Sequence, residues 1–316
     1  MRILATDQNF GDNAAVEREL VTAAGGELEL AECADEEAVA AALERHMPDA
    51  LLVQFAQVGA RALQGAATLR AIVRVGVGID NVDTRAASAA GIAVARVPDY
   101  CVDEVADHTL ALLLAVERGI VALAAETGSG GWDLRAAGPV RRLSGRTLGL
   151  VGYGRIARAV GRRARPLGLE LAAHDPWAGA FEGAEAVASL DELLGRSDVL
   201  SLHVPLTEET RGLIGSRELG LLPKGAVLLN TARGGLVNEA ALAEALRSGR
   251  LRGAGLDVLA GEPPAPGHPL EAVPNLVLTP HAAFYSEEAV LELRRRSVET
   301  ALALLAGDEP DGLVAA

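Results

Sequence analysis

The chain has 316 residues, a net charge of −14 and a pI near 4.9, and half of its residues are hydrophobic. The length favours two domains over one, and the acidic charge argues against non-specific nucleic-acid binding, which needs a basic face. Cys33 and Cys101 are the only cysteines and form no C-x-x-C pair, which excludes a thiolate metal site and is typical of a reducing compartment. The apolar run 110–116 is too short to span a bilayer. We therefore expect a cytoplasmic protein with no metal, no membrane partner and no nucleic-acid partner.

Short apolar strands alternate with amphipathic helices over the first hundred residues. The predicted strands are Arg2–Thr6, Glu27–Leu30, Ala50–Val53, Ile72–Val75 and Ile92–Val94. The predicted helices are Ala14–Ala24, Glu36–Arg45, Ala60–Gln64 and Thr84–Ala90. This β-α alternation predicts a parallel sheet that is covered by helices on both faces.

Two glycines follow the fourth predicted strand, in the stretch Gly76–Asp83. Backbone N–H groups there can point into a cleft, because glycine has no β-carbon to cover them. A simple turn in which Asp83 caps the next helix explains the same residues. The pattern alone leaves both interpretations open.

A long helix is predicted from Asp103 to about Glu117, and residues 128–138 are predicted to form a loop. The predicted buried face of the helix consists of Leu110, Leu113 and Leu114. We expect this helix, which contains His108, to bridge two domains.

A nucleotide-binding fingerprint of the G-x-G-x-x-A form follows the apolar strand that begins at Leu148. Its residues are Gly152, Tyr153, Gly154, Arg155, Ile156 and Ala157. Gly152 permits the tight turn, Gly154 lets the backbone approach a pyrophosphate, and Ala157 lets the helix pack closely on the strand. The start of that helix, whose buried face is predicted to be Ile156, Val160 and Ala164, favours an anion. An ordinary βαβ corner is the structural alternative.

Asp175 follows the next strand, about 20 residues after the fingerprint, where an acidic side chain binds an adenosine ribose. Its carboxylate would repel a 2′-phosphate, and no Lys or Arg lies between Pro176 and Ala180 to bind one. The sequence therefore predicts NAD(H) rather than NADP(H) as the cofactor.

Polar side chains follow three of the later predicted strands. These strands are Ala226–Leu229, Gly253–Leu256 and Leu276–Leu278, preceded by Val199–Leu202. Arg233, Glu262 and His281 come after them, and the carboxyl ends of parallel strands face one crevice. A guanidinium can bind a substrate carboxylate, an imidazole can give a proton to a carbonyl oxygen, and a carboxylate can orient the imidazole. This set is what hydride transfer to a 2-keto acid needs.

Each of these residues also has a structural alternative. Arg233 can pair with surface acids, Glu262 can be a solvated loop residue, and His281 can be a core histidine. His203 also lies at a strand end and competes with His281 for the catalytic role. The residues by themselves leave these choices open.

Three runs, TARGGLVNEAALAEAL, LDVLAGEPP and TPHAA, resemble the successive signatures of the D-isomer-specific 2-hydroxyacid dehydrogenase family. Within it, HAAFYSEEA is similar to the C-terminal binding protein branch, although Phe284 stands where that branch usually has Trp. The resemblance covers nearly the whole chain. It implies an α/β fold with two doubly wound parallel-sheet domains. These are a flavodoxin-like substrate domain, residues 1–98 plus 286–316, and a Rossmann NAD-binding domain, residues 99–285.

The resemblance also implies roles for individual residues. It implies catalytic roles for Arg233, Glu262 and His281, and it favours His281 over His203. The residues implied to contact the cofactor are the six of the fingerprint, Asp175, Val204, Pro205, Thr210, Thr231, Ala232, Asp257 and Ala283. The residues implied to bind the substrate carboxylate through backbone N–H groups are Val77 and Gly78. Cys101 stands where many relatives have Asn or Ser, so the resemblance does not identify the substrate.

The resulting prediction is an NAD(H)-dependent D-2-hydroxyacid dehydrogenase that acts on a small 2-keto or 2-hydroxy acid and forms a homodimer through its NAD-binding domains. The alternative is an NAD(H)-sensing scaffold or corepressor of the C-terminal binding type, with vestigial dehydrogenase activity. A third interpretation, hydride transfer involving an inorganic or phosphonate anion, predicts extra cations beside Gly76, where Arg74 is near. The sequence shows no basic DNA-binding extension, which favours the enzyme.

Overall fold

The structure is a computed structural model that describes residues 1–7 and 13–314. The chain divides into two compact units, unit 1 with residues 1–100 and 286–316 and unit 2 with residues 101–285. The sequence-based prediction places these divisions at 98/99 and 285/286. Residues 8–12 and 315–316, which belong to the predicted substrate domain, lie outside the described residues.

Unit 1 is built on a parallel sheet of five strands in the order β2-β1-β3-β4-β5. Its strands are β1 (Arg2–Thr6), β2 (Glu27–Ala31), β3 (Ala50–Val53), β4 (Ala71–Arg74) and β5 (Ala93–Arg96). Its helices are α1 (Ala15–Ala23), α2 (Glu36–His46), α3 (Ala60–Leu63), α4 (Thr84–Ala89) and α11 (Glu287–Ala306). This strand order is the flavodoxin-like one.

Unit 2 is built on a parallel sheet of seven strands. The strands are β6 (Thr147–Val151), β7 (Glu170–His174), β8 (Glu185–Ala186), β9 (Val199–Leu202), β10 (Ala226–Asn230), β11 (Leu251–Leu256) and β12 (Leu276–Leu278). The helices are α5 (Val102–Arg118), α6 (Ile120–Gly128), α7 (Arg155–Ala164), α8 (Leu190–Arg196), α9 (Ser216–Leu221) and α10 (Glu239–Arg247). The strand order is β12-β11-β10-β9-β6-β7-β8. From β6 the chain first adds strands on one side, β7 and β8, and then crosses to the other side to add β9 to β12, as in a Rossmann fold.

The predicted fold class, two doubly wound parallel-sheet domains, is confirmed. The individual strands were predicted from continuous apolar runs, because parallel strands that are covered on both faces need buried residues throughout, and the division into two such domains was implied by the resemblance. All five residues of β10, for example, are buried.

The buried face of α5 differs from the predicted one. Leu113 is buried as expected, but Leu110 and Leu114 are only half-buried. The observed face consists of Val105, Ala106, Thr109, Leu112, Leu113, Val116 and Glu117. The prediction counted apolar residues only and missed Thr109, whose hydroxyl is compatible with burial because it donates to the carbonyl of Val105 at 2.7 Å.

A helix, α6, precedes the segment 128–138, and the sequence did not predict it. It begins after Gly119, which has φ +62° and ends α5 in the left-handed region. No single helix among residues 1–7 and 13–314 is long and apolar enough to cross a membrane. The pair α5 and α6 meets the length and composition criteria only jointly and is bent by 64°.

Candidate active site

The glycine-rich turn joins β6 to α7 in unit 2. Gly152 has φ +86°, and a β-carbon there would lie 2.9 Å from the carbonyl oxygen of His203. Both the left-handed conformation and the close approach of the chain after β9 therefore require glycine. Ala157 is fully buried, as are Val160 and Ala164, whereas Ile156, predicted to be buried, is half-buried.

Gly154 is the N-cap of α7 and lies at an open surface. A β-carbon at this position would meet no atom of residues 1–7 and 13–314 within 4 Å, apart from its chain neighbours and its own helix, so this point at the start of the helix is open. Gly154 also contributes no capping side chain to the first N–H groups of α7. An open helix N-terminus of this kind fits a pyrophosphate, which supports the predicted dinucleotide site.

Asp175 lies directly after β7 and is tied to the glycine-rich turn. Its Oδ2 accepts a hydrogen bond from the backbone N–H of Tyr153 at 2.8 Å, and its Oδ1 accepts one from Trp177 at 2.9 Å. The side chain of Tyr153 points away from this edge, since its hydroxyl donates to the carbonyl of Glu182 at 2.6 Å and its ring stacks on Phe181. Only the backbone of Tyr153 belongs to the turn.

The loop after β9 adjoins the same turn. A methyl carbon of Val204 lies 2.9 Å from the position that a β-carbon of Gly152 would take. Thr210 closes the loop by donating from its hydroxyl to the carbonyl of Pro205 at 2.7 Å. Val204, Pro205 and Thr210, which the resemblance assigned to the cofactor, therefore form one closed loop at the fingerprint.

His203, the rival for the acid/base role, has a different environment from His281. Its Nε2 lies 2.8 Å from the hydroxyl of Ser201, and burial of the ring lowers its pKa to about 4. Because desolvation disfavours the charged imidazolium, His203 is neutral near pH 7. A proton donor that works at neutral pH is therefore better sought elsewhere.

Arg233 follows β10 in a turn that buried Asn230 shapes. The side chain of Asn230 donates to the carbonyl of Arg233 at 2.8 Å and accepts from the N–H of Ala232 at 3.0 Å. Gly234 comes next, and any β-carbon on it would overlap the backbone of Leu259. The Arg233 turn is therefore packed directly against the loop that leads to Glu262.

Glu262 and His281 are in contact. The Nδ1 atom of His281 lies 2.6 Å from Oε2 of Glu262, and Oε1 of Glu262 accepts from the N–H of Leu259 at 2.8 Å. Burial raises the pKa of Glu262, but the hydrogen bond and charge of His281, the N–H of Leu259 and the charge of Arg233 together lower it below its usual value. The carboxylate is therefore ionised beside the imidazole.

Buried Asp257 organises the loop that carries His281. One carboxylate oxygen accepts from Thr279 at 2.6 Å and from the N–H of Ala282 at 2.9 Å, and the other accepts from the N–H of Ala283 at 2.8 Å. The carbonyl of Asp257 also accepts from the N–H of His281, whose φ is +52°. The segment 279–283, in which His281 adopts the left-handed conformation, is thus held by four contacts that all end on Asp257.

Two functional roles in this region were not visible in the sequence. Asn230 and Gly234 shape the turn that carries Arg233. The sequence assigned neither of them this role, although Gly234 lies within the run TARGGLVNEAALAEAL. A polar residue at the end of a wholly buried strand is the only signal that pointed to Asn230, because a buried amide needs hydrogen-bond partners.

Val77 and Gly78 lie in unit 1, after β4. The guanidinium of Arg74 occupies the space beside Gly76, where a β-carbon would overlap it, and Arg96 donates to the carbonyl of Val77 at 3.0 Å. The direction of Arg74, which the sequence left open, is therefore toward this loop. Two guanidinium groups accompany the N–H groups that the resemblance assigned to the substrate carboxylate.

Comparisons with known proteins agree with this architecture. A sequence profile described as "D-isomer specific 2-hydroxyacid dehydrogenase, NAD binding domain" matches residues 110–283. Glycerate dehydrogenase from Methylorubrum extorquens is 38% identical over 255 residues, which cover 78% of this chain and 79% of that protein. The TT0316 protein from Thermus thermophilus superimposes with a TM-score of 0.89 and 38% identity over 100% of both chains.

D-3-phosphoglycerate dehydrogenase from Methanocaldococcus jannaschii is 41% identical over 231 residues, which cover 72% of this chain but 44% of that protein. The match thus spans less than half the length of this relative. The fold and the matched region define an NAD-dependent oxidoreductase. This chain belongs to the D-isomer-specific 2-hydroxyacid dehydrogenase family. The resemblance to the C-terminal binding protein branch stays a prediction, since these relatives are named as dehydrogenases.

Proposed function

We propose that the protein catalyses reversible hydride transfer at C2 of a small 2-keto or D-2-hydroxy acid. NAD, when bound, supplies or accepts the hydride. His281 gives a proton to the carbonyl oxygen as C2 is reduced and takes that proton back in the reverse direction. The observation that carries the proposal is the 2.6 Å contact between Nδ1 of His281 and Oε2 of ionised Glu262.

Glu262 decides which nitrogen of His281 does the chemistry. An ionised carboxylate is only an acceptor, so Nδ1 of His281 must donate to it. The proton that is exchanged with the substrate is then carried by Nε2. A carboxylate partner also stabilises the imidazolium that exists while His281 holds both protons.

Arg233 is proposed to orient the substrate through its carboxylate and carbonyl oxygen. Arg233 is half-buried, and its guanidinium is anchored by a 2.8 Å hydrogen bond to the carbonyl of Ala232. A planar guanidinium that is held in this way can bind a carboxylate with two parallel hydrogen bonds. Within unit 1, Arg74 and Arg96 add positive charge beside the loop of Val77 and Gly78, the residues to which the resemblance assigned the substrate carboxylate.

The relatives suggest which acids to test. Those named above are glycerate and D-3-phosphoglycerate dehydrogenases, whose names point to hydroxypyruvate and its 3-phosphate as the corresponding 2-keto acids. The experiment is an NADH-oxidation screen with these two acids and with glyoxylate, pyruvate, phosphonopyruvate, phenylpyruvate and branched 2-keto acids. We expect turnover with at least one small 2-keto acid and a lower rate with NADPH. No turnover with any of them would contradict the proposal.

We further propose that unit 2 forms a homodimer. None of the nine residues of α6 is buried, although most of them are apolar. Trp132 and Leu134, in the following segment, are 93% and 82% exposed. An apolar patch of this kind commonly marks an interface, and a second copy would cover it. Light scattering should give twice the mass of the chain for the wild type and a smaller mass for Leu134→Glu, whereas a wild-type monomer would contradict the dimer.

A further inference from the structure

Adjacent residues of α5 contact two different loops of the candidate active site. Nε2 of His108 lies 2.9 Å from the hydroxyl of Thr279, two residues before His281. The hydroxyl of Thr109 lies 2.8 Å from that of Thr231, two residues before Arg233. One helix turn therefore reaches both the loop that carries the acid/base and the loop that carries the guanidinium.

The direction of the hydrogen bonds at Thr279 follows from its single hydroxyl proton. That proton goes to Oδ1 of Asp257 at 2.6 Å, because an ionised carboxylate is the better acceptor. The Thr279 hydroxyl must then accept from Nε2 of His108, so His108 carries a proton on Nε2. The chain of donors runs from His108 through Thr279 to Asp257.

The same reasoning gives the direction of the second contact. Thr109 donates its hydroxyl proton to the carbonyl of Val105 at 2.7 Å, so it accepts from the hydroxyl of Thr231. Thr109 is fully buried, whereas Thr231 is half-buried. The loop residue is the donor here, and α5 supplies the acceptor.

Asp257 connects the His108–Thr279 hydrogen bond to the loop that carries His281. Its carboxylate holds the N–H groups of Ala282 and Ala283, and its carbonyl holds the N–H of His281. A second acceptor for Thr279 lies nearby, the carbonyl of Leu256 at 3.5 Å. A donor at position 108 polarises the Thr279 hydroxyl toward Asp257, since hydrogen bonds in a chain strengthen one another.

We propose that His108 is a positioning residue for the reaction: its Nε2–H keeps the Thr279 hydroxyl on Asp257, and Asp257 then holds the left-handed backbone of His281. The inference rests on the proposed function, because it assigns His108 a role through His281. His108 itself touches neither substrate nor cofactor in this assignment. Its imidazole serves as a hydrogen-bond donor and exchanges no proton with the substrate.

The test compares two substitutions that differ in one property. His108→Gln keeps an N–H donor at about the reach of Nε2, whereas His108→Leu keeps the bulk of the side chain and loses the donor. We expect His108→Leu to lower kcat about tenfold, which corresponds to about 1.4 kcal/mol, and His108→Gln to restore most of it. The KM for the 2-keto acid should change little in both, because the Arg233 loop is held by Thr109 instead.

His46→Leu is the matched control, since His46 lies in unit 1, where its Nδ1 is 3.8 Å from a carboxylate oxygen of Glu29. It should leave kcat unchanged. A His108→Leu enzyme with wild-type kcat would overturn the inference, and so would a His108→Gln enzyme as impaired as the Leu variant, since shape rather than the donor would then matter.

A second measurement does not depend on activity. Nitrogen-15 NMR of the imidazole rings should show His108 with its proton on Nε2, and an Nδ1–H tautomer would overturn the direction of the chain. If His281→Ala kept full activity, the proposed function would fail, while the tautomer of His108 would still be decided by NMR. The two failures are therefore distinguishable.

Discussion

The glycine-rich turn and the loops that carry Arg233, Glu262 and His281 all follow strands of the same sheet. They differ in what determines their conformation. The turn comes from one continuous βαβ segment, and its form depends on Gly152 and on the neighbouring strand end. The three loops come from strand ends far apart in the sequence and are held by buried polar groups such as Asp257. A cofactor site can thus be encoded locally, whereas a catalytic arrangement needs support from elsewhere in the fold.

The largest expected effect is a loss of catalysis with cofactor binding retained. His281→Ala should lower kcat by about 100- to 10,000-fold, the usual contribution of a general acid or base. Steady-state kinetics would measure this loss. NADH binding, followed by fluorescence titration, should stay near the wild-type value. A variant that lost NADH binding to the same degree would place His281 in the cofactor site instead.

The next effect tests the packing of the Arg233 turn on the Glu262 loop. Gly234→Ala would force a β-carbon into the backbone of Leu259, so we expect a loss of about 1–3 kcal/mol in the free energy of unfolding and a marked loss of kcat/KM. Denaturant unfolding and steady-state kinetics would measure the two losses. Gly195→Ala is the control, because a β-carbon there meets no atom within 4 Å among the residues that the structure describes. Equal stability of the two variants would contradict the packing argument.

Glu262→Gln tests the charge in the pair with His281. It keeps the shape of the side chain and should lower kcat about tenfold, because the imidazolium loses its ionised partner. The pKa of Glu262 is lowered in the folded protein, so the stabilisation exists above the carboxyl's usual pKa of 4.5 and is lost as the pH falls through the lowered value.

Thermal unfolding at a series of pH values would follow that linkage. The difference in Tm between the wild type and Glu262→Gln should be largest near neutral pH and should shrink in acid. A difference that grew as the pH fell would have the wrong sign and would show that the carboxylate is not stabilised by folding.

The last effect, as large as that of Glu262→Gln, concerns the cofactor site. Asp175→Ala should raise the ratio of NADPH to NADH activity about tenfold, or about 1.4 kcal/mol, because the carboxylate that repels a 2′-phosphate is gone. Kinetics with both cofactors would measure the ratio. Asp191→Ala removes a surface carboxylate that pairs with Arg217 in the same unit and serves as the control. An unchanged ratio in Asp175→Ala would contradict the ribose contact.

The sequence by itself predicted the five strands of unit 1, six of the seven strands of unit 2, the fingerprint and the acid after the second strand of unit 2, but it did not predict the short strand β8. These features depend on local rules: apolar runs for strands that are buried on both faces, glycine where φ is positive, and a fixed spacing to the acidic residue. The rule that strand ends share a crevice also brought Glu262 and His281 to the same edge, and the resemblance gave them their roles.

Only the tertiary structure decided which polar groups hold these residues in place. It placed the ring of Tyr153 in the core, directed Arg74 toward Gly76, put His203 where desolvation lowers its pKa and gave Thr279 its partners in His108 and Asp257. Such pairings join residues far apart in the chain, as with His108 and Thr279. Periodicity and spacing describe only neighbours along the chain, so a hydrogen bond across the fold leaves no pattern in the sequence that predicts it.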